Sequence, residues 1–106
     1  MTGGEAVVET LLVNEVEVVT GLIGSSTLEI LDGLYNNAEK IRYIGCRHES
    51  NGMIMMDAYA RYTGKNGIFL SGQAGPGVSN TVTAMAQAKA AFSPVVNLAG
   101  AIASDH

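Results

Sequence analysis

A chain of 106 residues, 47% apolar and 15% charged, holds enough hydrophobic material for one domain and too little charge for a disordered tail. Its net charge of −4, with six scattered Lys and Arg, argues against a nucleic-acid backbone as partner, because counterion release needs clustered cations. A lone Cys46, an amino terminus without a basic leader segment and the lack of any apolar run of membrane-spanning length predict a soluble cytoplasmic protein without disulfides. Residues 3–14 set Ala6, Val7, Leu11 and Leu12 at helical spacing, and Thr2 with Glu5 three positions on makes a capping-box pattern. The β-branched stretch 16–20 predicts a strand, followed by a turn from Gly21 to Ser26. Ser26 or Thr27 then caps a helix over about 27–36, with Leu28, Leu31, Leu34 and Tyr35 as its buried stripe.

A second strand is predicted over 41–46 and a helix over about 50–62. That helix carries Met53, Ile54, Met55, Met56, Ala58 and Tyr59 nearly all round, which calls for cover on several sides, partly from another polypeptide. After a turn at Gly64–Gly67 come a third strand (68–71), an Ala-rich helix (77–92) and a fourth strand (95–99) entered through Pro94. The alternation predicts an α/β fold: a parallel sheet of about four βα units with helices on both faces. No closing helix follows the last strand before Ser104, Asp105 and His106, so an incomplete sheet is expected, with uncovered surface that makes the isolated chain self-associate.

Two stretches carry chemistry. Gly72, Gly75 and Gly77 fall between a strand and a helix, but in the order G-x-x-G-x-G, the reverse of a dinucleotide fingerprint, and no acid follows about 20 positions on. Asn66 after Gly64-Lys65 excludes a phosphate-binding P-loop. Taken alone, these glycines read as a tight turn with Pro76 preset for helix entry. Arg47-His48-Glu49 ends a strand and opens a helix; alone, Glu49 reads as an acid complementing the helix dipole, with Arg47 as a surface ion-pair partner. A carboxylate at the mouth of a parallel sheet beside a glycine-rich turn also has the makings of a ligand site. No set of His, Cys and carboxylates has metal-ligand spacing, and no Ser-His-Asp order suggests a nucleophile.

The full string decides between these readings. Gly3-Gly4-Glu5, Gly24-Ser25, Arg47-His48-Glu49, Asp57-Ala58-Tyr59-Ala60-Arg61, Thr63-Gly64-Lys65, Gly75-Pro76-Gly77, Asn80 and Ser93-Pro94 occur in order and at matching separations from end to end. In this the chain closely resembles the N-terminal pyrimidine-binding domain of the thiamine-diphosphate enzymes, in the acetolactate synthase branch. The resemblance implies that Glu49 hydrogen-bonds N1′ of the cofactor's aminopyrimidine and so activates it for 2-keto acid decarboxylation and acyl or aldehyde transfer. By the same resemblance Gly24 and Ser25 lie near the reacting centre, and Gly75, Pro76, Gly77 and Asn80 lie beside the pyrimidine and a subunit contact. Gln73 is a substrate-side candidate, in a loop that resembles sulfoacetaldehyde acetyltransferases as much as acetolactate synthases; a keto-acid decarboxylase is a further alternative.

Departures from the family pattern are Ile23 in place of a proline, Thr20 in place of an aromatic residue and Met56 in place of a small one. The family's central domain and its diphosphate- and Mg2+-binding domain, marked by Gly-Asp-Gly, have no counterpart in residues 1–106, which therefore read as a partial domain. The resemblance places Mg2+ in that other domain, on the same or another chain, within a homo-oligomer, and allows FAD in longer members. The chain alone is expected to be inactive. The alternative from a different class is a non-catalytic remnant or interaction module that pairs with an intact homologue.

Overall fold

A computed structural model describes residues 1–104; the terminal His106, uninformative in sequence, lies outside them. Thr2 forms the expected capping box with Glu5, its hydroxyl accepting from the Glu5 amide at 3.1 Å, and opens α1 (Gly3–Val13). Then follow β1 (Val18–Leu22), a 3-10 turn (Ser25–Thr27), α2 (Leu28–Asn36), β2 (Arg42–Gly45), α3 (Glu49–Thr63), β3 (Gly67–Ser71), α4 (Pro76–Ser79), α5 (Val82–Ala90) and β4 (Val95–Ala99). The four strands form one parallel sheet in the order β2-β1-β3-β4. Val19 stands opposite both Tyr43 and Ile68, and Phe69 opposite Asn97.

Strand periodicity divides the core between two faces. Val19, Ile68 and Leu70 pack with Val8 and Leu11 of α1 and Leu34 of α2. Phe69 points the other way, onto Met53 and Met56 of α3 and Ala84 of α5. The parallel α/β sheet with helices on both faces is therefore present as the sequence predicts, and β3 is buried along its whole length.

Several boundaries differ from the sequence reading, each for a physical reason. The first strand begins at Val18, two residues later than predicted; Val16 is buried in the core ahead of it, and Gly21 joins the strand. A β-carbon at Gly21 would lie 2.8 Å from the Leu70 carbonyl oxygen, so only glycine lets the neighbouring strand approach there. The buried line of α2 runs through Ile30, Leu31, Gly33 and Leu34, leaving Leu28 and Tyr35 exposed (Tyr35 79%). The cause is a close crossing with α1: a β-carbon on Gly33 would press on Val8, and one on Gly4 would overlap the Glu29 backbone.

Met53, Met56 and Ala60 of α3 are buried while the apolar Ile54 and Met55 are partly exposed, so this chain covers the helix on one side and not all round. Met56 fills the core against Phe69 and does not sit on a contact surface. Thr20 at 0% exposure donates its hydroxyl to the Gly52 carbonyl at 3.0 Å and ties β1 to α3. Among the described residues no helix is long and apolar enough to cross a membrane.

Asp57 is the other buried acid of α3. Arg61, one turn on, donates through Nε to Oδ1 (3.0 Å) and through Nη2 to Oδ2 (2.9 Å), a fork that matches the carboxylate. These bonds, with help from Ser93, hold the Asp57 carboxyl below its ordinary 3.8. Since the folded form binds its proton more weakly than the unfolded chain, this pair stabilises the fold fully above that ordinary value. The contribution is lost as pH falls through the lowered one. Acid titration of stability should show this limb in the parent, and a flatter one in Asp57→Asn; identical slopes would refute the assignment.

Ile54, Met55, Val82 and Met85 leave apolar surface on the outer helices, and Tyr62 and Phe92 are almost fully exposed. We expect the chain on its own to self-associate in sedimentation velocity; a single monomeric boundary at all concentrations would overturn that expectation.

Candidate functional site

In a sheet of order β2-β1-β3-β4 the connections leave β1 and β3 in opposite directions, which opens a crevice at their carboxyl ends. The loops after these two strands are joined backbone to backbone. A β-carbon on Gly24 would overlap the Gly72 carbonyl, and one on Gly72 would overlap the Gly24 backbone. The Gly72 amide donates to Leu22 O (3.1 Å), and the Ser26 amide donates back to Gly72 O (3.2 Å). Nothing bulkier than glycine fits at either position.

The loop after β2 delivers Glu49. His48, extended at φ −153°, is the N-cap of α3 and its Nδ1 accepts from the Ser50 amide at 3.2 Å. Glu49 is thus the first helical residue, and it is 4% exposed. Its partner is not Arg47: the ion pairs among the described residues are Arg61 with Asp57 and Lys65 with Glu17. Asn80 takes that place, donating Nδ2 to Glu49 Oε1 at 3.0 Å.

The other oxygen, Oε2, faces the start of α4. Gly75 at φ 79° adopts the left-handed turn that glycine allows, and Pro76 occupies the first helical position. Gly77 then lies against the carboxylate, since a β-carbon there would stand 3.0 Å from Oε2 and 2.8 Å from Gln73 Cβ. No side-chain hydrogen bond reaches Oε2 among the described residues. The structure therefore brings Glu49, Gln73, Gly75, Pro76, Gly77 and Asn80 together at the crevice, and Gly24 joins them through Gly72. Ser25 is exposed in the 3-10 turn, forms no side-chain hydrogen bond among the described residues, and shares only the backbone junction.

Cys46, at the end of β2, is inert. Its thiol donates to Gly21 O at 3.2 Å, and burial pushes it up, so it stays protonated at neutral pH. The predicted helix over 77–92 is in fact two helices. The chain breaks at Asn80 and Thr81, where the Thr81 hydroxyl donates to Val78 O at 2.6 Å. The motif string contains nothing that singles out Thr81, Ser71 and Asn97, although their side chains are linked behind this break. The available signal is an Asn in the middle of the otherwise apolar strand Val95–Ala99.

Comparison with known proteins accords with this geometry. Residues 1–106 match the family described as "Thiamine pyrophosphate enzyme, N-terminal TPP binding domain". The chain is 44% identical over 96 residues to a sulfoacetaldehyde acetyltransferase of Alcaligenes xylosoxydans xylosoxydans, covering 91% of this chain and 15% of that protein. It is 39% identical over 100 residues to a catabolic acetolactate synthase of Raoultella terrigena, covering 94% and 17% respectively. To the large subunit of acetolactate synthase isozyme 2 of Escherichia coli (strain K12) it is 33% identical over 104 residues, covering 98% and 18%. The chain thus spans less than one fifth of the length of each of these relatives. It belongs to the N-terminal TPP-binding domain family of the thiamine pyrophosphate enzymes, with acetolactate synthase-like relatives.

Proposed function

We propose that this chain is the pyrimidine-holding part of a thiamine-diphosphate enzyme that decarboxylates a 2-keto acid or transfers its acyl or aldehyde unit, with Glu49 as the activating acid. The observation that carries the reading is the division of labour on one buried carboxylate. Oε1 is anchored by Asn80, while Oε2 stands beside a glycine floor with no donor on it among the described residues. Such an oxygen suits a ring nitrogen that shares a proton, and a β-carbon at Gly77 would crowd the space that a flat ring needs. The residues present therefore fit the aminopyrimidine end of thiamine diphosphate. When bound, that cofactor supplies the electron sink for the bond cleavage.

Around it, Glu49 holds or gives a proton at Oε2, and Asn80 prevents the carboxylate from rotating. The packing of Gly24 on Gly72, at the loop that carries Gln73, supports Gly24 and the adjoining Ser25 as neighbours of the reacting centre. Its exposure next to Gly77 supports Gln73 as a residue of the substrate side. Similarity to both kinds of relative supports an acceptor or donor of the acetolactate or sulfoacetaldehyde type. The diphosphate and its Mg2+ fall to another domain, on the same or a second chain, and FAD would bind outside these residues. A purely structural interaction module has no need of a buried carboxylate with one free oxygen, which favours the catalytic reading over a remnant. The test is Glu49→Gln in the enzyme assembled with its diphosphate-binding domain; unchanged turnover would overturn the assignment.

A further inference from the structure

Asn80 is exposed, and its side chain makes one hydrogen bond, to Glu49. The direction of that amide is therefore set by the backbone that carries it. This backbone is the break between α4 and α5, and a partly buried chain of hydrogen bonds runs directly behind it. Ser71, at the end of β3, donates Oγ to Asn97 Oδ1 at 2.8 Å. Asn97 on β4 donates Nδ2 to Thr81 Oγ1 at 3.0 Å, and Thr81 donates in turn to Val78 O at 2.6 Å. The Thr81 amide donates to the same carbonyl at 3.0 Å. Ser71 and Thr81 are both 0% exposed.

In this order every hydroxyl and both ends of the Asn97 amide are satisfied, with Met85 Sδ also in reach of Asn97 Nδ2 (3.4 Å) and of the Thr81 hydroxyl (3.5 Å), and the two oxygen partners orient the amide. The rest of β4 is apolar, and Asn97 sits half-buried in it. The sequence thus places an amide in an otherwise apolar strand, directly behind the residue that holds the carboxylate.

We propose that Asn97, acting through Thr81, is a positioning residue for Glu49: it fixes the α4–α5 junction so that Asn80 holds the carboxylate at the angle the cofactor ring requires. This rests on the role given to Glu49 above. Neither Asn97 nor Thr81 touches the reacting atoms.

The experiment compares kcat, KM for the keto acid and amide hydrogen exchange in the assembled enzyme. Thr81→Val keeps the shape and loses the hydroxyl; Thr81→Ser keeps the hydroxyl; Asn97→Leu removes the amide. Loss of alignment should lower kcat about tenfold in Thr81→Val and Asn97→Leu with KM little changed, and Thr81→Ser should restore most of it. In cofactor-free protein, exchange across residues 78–82 should quicken in Thr81→Val and not in Thr81→Ser. In an Asn80→Ala background, Asn97→Leu should cost nothing further, because the path it acts through is already cut.

If Thr81→Val does not fold, Asn97→Asp carries the same test, since it still accepts from Ser71 but cannot donate to Thr81. Parent-like kcat in these variants alongside a collapse in Glu49→Gln would sink the positioning role and leave Glu49 standing. Equal losses in Thr81→Ser and Thr81→Val, or additive losses with Asn80→Ala, would also sink it. Parent-like turnover in Glu49→Gln would instead remove the proposed function itself.

Discussion

Turnover of the assembled enzyme should fall by about a hundredfold or more in Glu49→Gln, the range expected when a positioned proton-transfer group is removed. The substitution keeps the length and shape of the side chain. Its carbonyl oxygen can still accept from Asn80 Nδ2, so the hydrogen bond seen at 3.0 Å has a replacement. What is lost is the ability of Oε2 to hold and release a proton beside Gly77. Folding should not suffer, because the amide has the size and shape of the carboxylic acid and keeps the bond to Asn80. Steady-state kinetics and a denaturation midpoint, measured on the same preparation, separate the two effects. A midpoint near that of the parent with turnover collapsed supports the chemical role. Loss of both together would mean that Glu49 serves mainly to hold α3 in place.

The largest effect on stability should come from Phe69→Ala. Phe69 is fully buried at the centre of the sheet and is packed by Met53, Met56 and Ala84. It also explains Gly52, since a β-carbon on Gly52 would overlap the Phe69 ring and come within 2.8 Å of Cys46 Sγ. Removing the ring leaves a cavity under α3 that this tight crossing cannot close, because the Gly52 contact already brings the helix as near as backbone allows. A loss of about 3–5 kcal/mol is expected, out of a total of about 5–15 kcal/mol for a domain of this size. Urea denaturation of the parent and of Phe69→Leu, which keeps most of the volume, gives the scale. A loss below about 1 kcal/mol would show that the second core cluster repacks freely. Because α3 begins at Glu49, the same variant should also weaken the site.

The residues read alone were sufficient for the α/β class, the parallel sheet and the family. Alternating helical and strand-like stretches leave few ways to bury both, and the string from Gly24-Ser25 to Ser93-Pro94 carries its own order and spacing. Glu49, Gly75, Pro76, Gly77 and Asn80 were singled out through that string, since an acid at a helix start and a glycine-proline turn read locally as structural. Contacts between distant segments were not legible. The Gly24–Gly72 junction, the crossing of α1 and α2 at Gly4 and Gly33, and the exposure of Tyr35 each depend on which backbone segment arrives opposite. Helical periodicity over 77–92 likewise conceals the break at Asn80 and Thr81, since the hydroxyl that makes it is held from behind by Asn97, 16 positions along the chain. Asparagine in a strand is only a polar residue until the fold sets Ser71 on one side of it and Thr81 on the other. Local sequence chooses the groups that can do chemistry; the tertiary structure decides which of them are held still enough to do it.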